Sequence, residues 1–281
     1  MQSVKARAAS KRPVPNPTGV LLREWRAAKR LSQLDLALEA GVSARHLSCV
    51  ETGKAQPSRD MIALLADALA MPLRERNALL VAAGYAPHYA ETGLDAAALR
   101  QVRVAIDCIL GHQEPFPAFL LNRRWDVLQT NRAAVRMNDF LGAGRRHANM
   151  VRRFLDPDDL RRFVVNWEEI AGDLIRHLHE AIAAAPSDAG ARALLEEALG
   201  YPGVPAHWRT RDVGAPPPPL LTVVFRKADR ELRFFSTITT FATPRDVTVD
   251  EIRIECAFPA DESTAELCRL LARDDVEGLR P

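Results

Sequence analysis

Apolar residues recur at helical spacing from Val20 onward. Val20, Leu21, Leu22, Trp25 and Ala28 predict a first helix. Ser32 stands where a cap would start a second, with Gln33 and Asp35 in its first turn and Leu34, Ala37 and Leu38 as its buried stripe. Gly41 ends that helix. Ser43 caps a third, whose apolar pair is Leu47 and Val50, and Gly53 stops it. Pro57-Ser58 opens a fourth helix carrying Ile62, Leu65, Ala66 and Leu69. Pro72 stands near the start of a fifth, Leu73 to Ala83, which Gly84 ends. The pattern predicts an all-α, five-helix bundle over residues 18–84, preceded by a basic, proline-broken tail over 1–17.

Residues 85–94, with Pro87 and Gly93, read as a linker. A helix follows from Asp95 to Leu110, with Leu99, Val102, Ile106 and Ile109 on one face. The period then changes. Phe116 to Asn122 and Asp126 to Asn131 are strand-like runs flanking Arg123-Arg124-Trp125, as in a hairpin. A helical stretch covers about 131–200, and Asp156-Pro157-Asp158-Asp159 within it reads as a helix start. A loop at Pro216–Pro219 precedes β runs at Leu220–Arg226, Glu231–Phe241 and Val249–Phe258, and a last helix covers Ser263 to Ala272. The class is α+β, with a second domain over 95–273 and a short C-terminal tail over 274–281.

Composition bounds the function. At 281 residues, 47% hydrophobic and 26% charged, the chain has the length of about two globular domains. No run of 18 apolar residues is present, which excludes a spanning helix and a membrane partner. The basic start lacks an apolar run and a cleavage site, so no secretory signal is expected. Cys49, Cys108, Cys256 and Cys268 are scattered without CxxC spacing, which argues against a disulfide scaffold or cysteine zinc site and fits a reducing cytoplasm. The net charge of +2 hides an asymmetry: residues 1–90 hold 13 Lys/Arg against 7 Asp/Glu, and the remainder 25 against 29. A basic first third points to a polyanionic partner.

The densest chemistry lies between Leu31 and Lys54. A small Ala37 lets two helices cross closely, and Gly41 takes the turn between them. Anchoring the third helix by Leu47 and Val50 leaves Ala44, Arg45, Ser48, Cys49 and Thr52 on the opposite face, with His46 in the same stretch. Small and polar residues on an exposed helix face suit the DNA major groove. Arg45 is the one long donor in the middle of that face, and Arg to guanine O6/N7 is the commonest specific contact. Ser48 and Cys49 are short and reach only close base edges. Gln33 is expected to bring its amide and backbone N–H groups to a phosphate, Ser43 to do the same one helix later, and Lys54 and Arg59 to clamp phosphates. Glu51 reads as structural, paired with Arg26 or Arg23, because a carboxylate repels phosphate. The segment resembles the helix-turn-helix of the Xre/Cro/phage-repressor family. By that resemblance Gln33, Ala44, Arg45 and Cys49 match DNA-contacting positions. Ala44 and Cys49 stand where glutamines are common, so the operator does not transfer.

Two strands, a helical insertion and three strands resemble a PAS-like sensor. The whole chain, from about Val20 to Leu271, resembles the MmyB-like transcriptional regulators. The resemblance is carried by Val42–Gly53, Gln56-Pro57-Ser58, Leu73–Leu80, Ala83–Pro87, Val165–Glu168, Tyr201–Pro205, Phe235–Phe241 and Phe258–Glu262. It implies a C-terminal domain for a small apolar or fatty-acid-like molecule. No cofactor besides such an effector is expected. From the residues, one face of Phe234–Phe241 carries Phe235, Thr237 and Thr239, and the other Phe234, Ser236 and Ile238; both mix apolar and hydroxyl groups. Phe235, Thr237 and Thr239 are the candidate cavity lining, together with Phe163 and Trp167; such runs also simply build a sheet, and Trp167 reads as a core aromatic as well.

Enzyme signatures are weak. His177-Leu178-His179 places two imidazoles about 200° apart on a helix, so they cannot share a metal. There is no HExxH, GxSxG or Walker loop, and no nucleophile beside a base. The expected function is sequence-specific DNA binding under a small effector, as a homodimer. A second domain that only dimerises, or an enzyme with a DNA-binding head, are the alternatives.

Overall fold

The computed structural model describes residues 16–144, 146–210 and 219–273. Most of the basic tail, most of the Pro216–Pro219 loop and the C-terminal tail lie outside them. The chain forms two compact units divided at His88/Tyr89.

The first unit is a helical bundle: α1 (Pro17–Ala28), α2 (Gln33–Glu39), α3 (Ala44–Glu51), α4 (Arg59–Ala68) and α5 (Leu73–Ala82). α1 begins inside the tail expected from sequence, because Pro17 takes the first helical position, where its missing N–H costs nothing. Ser32 and Asp35 close a reciprocal capping box on α2, and Ser43 and Ser58 cap α3 and α4. The core holds Leu22, Trp25, Leu36, Ala37, Leu47, Val50, Ile62, Leu65, Leu69 and Leu79. One expectation is corrected here. Leu34 and Leu38 are 58% and 72% exposed, and α2 buries Leu36, Ala37 and Ala40 instead. Gly19 marks a close helix crossing: a Cβ there would lie 2.2 Å from the Glu51 carbonyl oxygen at the end of α3. Gly41 takes φ +64° between α2 and α3, the left-handed turn that glycine adopts without strain.

The second unit runs α6 (Arg100–His112), β1 (Ala118–Leu121), β2 (Val127–Thr130), α7 (Arg132–Leu141), α8 (Met150–Leu155), α9 (Trp167–Ala184), α10 (Ala189–Leu199), β3 (Thr222–Lys227), β4 (Arg230–Thr239), α11 (Val247–Glu251), β5 (Arg253–Pro259) and α12 (Glu262–Ala272). The five strands form one antiparallel sheet in the order β2-β1-β5-β4-β3. One face packs Ala118, Leu120, Ile254 and Cys256 on Ile106 and Leu110 of α6. The other face, with Leu121, Phe225, Leu232, Phe234 and Ala257, packs on α7, α8, α9 and α12. Buried Asn131 ties these layers. Its side chain caps α7 at Ala134 N, accepts from Ala118 N, and donates to the Phe116 carbonyl.

Residues 85–94 are tied at both ends: Tyr85 donates to the Pro57 carbonyl in the first unit, while Ala90 and Thr92 bond Val247 and Asp246 in the second. Two local readings change. Asp156-Pro157 ends α8 and starts no α-helix. Pro157 disfavours helical backbone before it, and Asp156 accepts Asp158 N in a turn leading to a single 3-10 segment, Leu160–Phe163. Val249 belongs to α11, where the Asp246 side chain caps Thr248 N, and the last strand starts only at Arg253.

Candidate nucleic-acid interface and cavity

α3 is amphipathic in the sense its surroundings require. Leu47, Val50 and Glu51 are fully buried, and Arg45, His46 and Thr52 are exposed, with Ala44, Ser48 and Cys49 half-buried between them. At 3.6 residues per turn, Ala44, Arg45, Ser48, Cys49 and Thr52 fall on one side, and His46 lies on its flank. Lys54 and Arg59 are exposed just beyond, and Arg59 rests its guanidinium over the Tyr85 ring, 5.1 Å from the centroid.

What holds this helix is a buried charge network that sequence reasoning placed on Glu51. Arg26 grips the Glu51 carboxylate with two hydrogen bonds of 2.8 and 3.0 Å, and Arg23 donates to the Glu51 carbonyl. The Glu51 side chain has no exposed surface, and Arg26 keeps 19%. Burial alone would push the Glu51 carboxyl up; the hydrogen bonds from Arg26 and Gln33 and the charges of Arg26 and Arg23 outweigh it and hold it below the usual range. Asn16 adds a further tie, donating 2.8 Å to the Val50 carbonyl.

Three candidate contacts have their polar atoms partly spent. The Gln33 amide donates 2.8 Å to Glu51 and so points inward, which corrects its expected place on a phosphate; the N–H groups of Gln33 and Leu34 remain at the open end of α2. The Ser43 hydroxyl caps His46 N at 3.4 Å. The Thr52 hydroxyl lies 2.7 Å from the Ser48 carbonyl and bonds back into its own helix.

The second unit holds a cavity of about 310 Å³ between the inward face of the sheet and the helices. Phe119, Trp125, Phe154, Phe225 and Phe234 give it an aromatic wall, and Met137, Met150, Leu174 and Ile238 add aliphatic surface. β4 lines it with Phe234, Ser236 and Ile238. Phe235, Thr237 and Thr239 are on the opposite face: Phe235 stacks on Phe258 at 5.6 Å, and the two threonines are exposed. Phe163 and Trp167 do not line it either. Trp167 donates 2.7 Å to the Phe154 carbonyl under the Arg161 guanidinium, so it braces the wall from behind.

Polar groups on the wall were not found from sequence. His177 bonds Asp173 at 3.3 Å, which raises its pKa against the opposing effect of burial. His179 turns away to the Trp208 carbonyl, so the two histidines of the pair serve different surfaces. Glu255 stands on central strand β5, flanked across the sheet by Phe119 and Ile238. Burial pushes its carboxyl up, opposed by a hydrogen bond from Ser236 and the charges of Arg253 and His177. Among the described residues no cluster of His, Cys, Asp and Glu could hold a metal ion. No described helix is long and apolar enough to cross a membrane.

Comparison with known families matches residues 102–271 to the MmyB-like transcription regulator ligand binding domain and residues 18–79 to a helix-turn-helix domain. The chain belongs to the MmyB-like transcription regulators. This MmyB-like regulator thus pairs a DNA-binding helical unit with a ligand-binding unit, and the α3 face and the cavity fall one in each matched segment. Comparison with curated proteins gave no match. Among solved structures, an RNA-binding Light-Oxygen-Voltage Receptor aligns at 12% identity and a TM-score of 0.24, over 94% of this chain and 64% of that one. The regulator therefore spans less than two thirds of that receptor's length, and the score is too low to bear on its fold.

Proposed function

We propose that α3 docks in the major groove as the recognition helix and that the second unit senses a small apolar ligand. The observation that carries this is the α3 face: an outward Arg45 among small neighbours, on a helix clamped from behind by the Arg26–Glu51 pair. Arg45 reads guanine, Ala44, Ser48 and Cys49 fit close base edges, and His46 and Thr52 border the groove. Ser43, Lys54, Arg59 and the open N–H groups of α2 meet phosphates, the last taking the part first given to the Gln33 amide.

A single module of this kind buries only about 600–1,000 Å² on DNA, so useful affinity favours a homodimer on half-sites one helical turn apart. The strand order β2-β1-β5-β4-β3 supports a PAS-like reading of the second unit. The aromatic cavity is at the lower end of small-molecule sites, roughly 300–1,000 Å³, and has room for a short fatty-acyl-like chain. Four free cysteines accord with a cytoplasmic setting.

The test is selection of bound fragments from a genomic DNA pool, before and after organic extraction of the purified protein. The reading expects a discrete motif and an affinity that changes on extraction and returns with the extract. No motif would refute the DNA role. A motif indifferent to extraction would leave the second unit as an assembly domain only.

A further inference from the structure

We infer that the cavity of the second unit selects an uncharged lipophile with a hydrogen-bond donor at its polar end, the chain against the aromatic wall and the donor, a hydroxyl or amide, at Ser236 and His177. The inference rests on the ligand-sensing reading above and adds the chemistry of the ligand's polar end.

Charge is balanced within the wall. Four charged or chargeable side chains line the cavity, Arg153, Asp173, His177 and Glu255, and each faces an opposite charge. Arg153 pairs with Asp159 at 3.3 Å. Asp173 accepts from Arg176 at 2.8 Å and lies 3.3 Å from the His177 ring. Glu255 takes a hydrogen bond from Ser236 and feels the charges of His177 and of Arg253, which is half-buried two residues along the same strand face. The other contacts of Arg253 are neutral, the Trp125 ring at 4.4 Å from the centroid and the Asn122 and Arg123 carbonyls, so its charge stays with Glu255.

An ion of either sign therefore enters without a counter-charge to spare, and an unpaired ion is the costliest group to take from water into apolar surroundings. A carboxylate would add a third acid to a wall that already holds Asp173 and Glu255. Arg153 cannot be turned to it. The Asp159 side chain has no exposed surface, one of its oxygens has no hydrogen-bond partner among the described residues, and losing Arg153 would strand it. An ammonium would meet carboxylates that Arg176, Arg253 and His177 already match. What the wall leaves open is hydrogen-bonding capacity. Ser236 gives its proton to Glu255 and keeps lone pairs, and Asp173 holds Nδ1 of His177, which leaves Nε2. A hydroxyl or amide donates to the Ser236 oxygen or to the neutral imidazole, and its own oxygen accepts from the ring when that is protonated.

The test uses the full chain and two pairs of probes matched in shape, octanamide with octanoate and n-octanol with n-octylamine, titrated calorimetrically at neutral pH. In each pair the uncharged member should bind at least about 10-fold more tightly. Ser236→Ala should weaken n-octanol by about 2- to 10-fold, the loss of one neutral hydrogen bond. Should Ser236→Ala fail to fold, the ranking within the two pairs on the native protein decides alone. Either ion binding as tightly as its uncharged counterpart, or an n-octanol affinity indifferent to Ser236→Ala, overturns the inference while the sensing reading stands. Binding of none of the four removes both.

Discussion

Removing the Glu51 carboxylate tests how the recognition helix is held. In Glu51→Ala, Arg26 loses both hydrogen bonds and its charge partner, Gln33 loses its acceptor, and the gap opens where α1, α2 and α3 meet. Breaking a buried pair by deleting one partner costs about 3–5 kcal/mol. Arg26 keeps 19% of its surface and can partly rehydrate, which places the expectation near the lower bound, about 3 kcal/mol. For a unit of this size that corresponds to a fall in Tm of about 12–24 °C. The two units need not unfold together, so the assay is native-state hydrogen exchange of the full chain, read separately on peptides from 18–82 and 100–271. Protection should drop in the first set and stay constant in the second.

The same pair predicts a pH signature. The native Glu51 pKa is lowered, so its stabilisation is complete above the ordinary glutamate value, roughly 4.3, and is withdrawn as pH falls through the lower native value. Glu51→Ala should lose that part of the acid dependence. A loss under about 0.5 kcal/mol, within the range of ordinary surface substitutions, would refute the clamp.

Three further outcomes follow from other contacts. Lys54→Ala should weaken binding to all DNA sequences alike and flatten the salt dependence by about one phosphate contact; an unaltered slope in salt titrations removes Lys54 from the phosphate set. Gly19→Ala would drive a Cβ into the Glu51 carbonyl, and backbone cannot yield as a flexible side chain would, so urea unfolding should show a loss of about 1–3 kcal/mol in the first unit. Asp173→Asn removes the partner that raises the His177 pKa. The native protein holds the pair's stabilisation in full below about pH 6.5 and loses it as pH rises through the higher native value, and the variant should lack this slope; an unmoved His177 titration by NMR contradicts it.

The α3 face was legible because helical period, the Ser43 cap and Gly41 and Gly53 all point to one register. Glu51 was legible as structural because a carboxylate has no place beside phosphate. Other faces were ambiguous. In α2 the apolar positions satisfy two stripes at once, Leu34 with Leu38 or Leu36 with Ala37 and Ala40, and only packing against α1, α3 and α4 selects the second. β4 mixes apolar and hydroxyl residues on both faces, so a one-residue choice decides whether Phe234 or Phe235 looks inward. Glu255 was hidden by the same rule in reverse: Arg253 and Glu255 alternate with Ile254 and Cys256 as a solvent face would, yet that face closes the cavity. Val249 is β-branched and strand-like by propensity, but the Asp246 cap commits it to a helix.

The claim that α3 reads base edges through Arg45 is tested most directly by methylation interference at guanine N7 on a selected site. Methylation of one guanine per half-site should abolish binding of the native protein and make no difference to Arg45→Ala, which already lacks the contact. Binding of the native protein that tolerates N7 methylation at every guanine of the site would contradict the account.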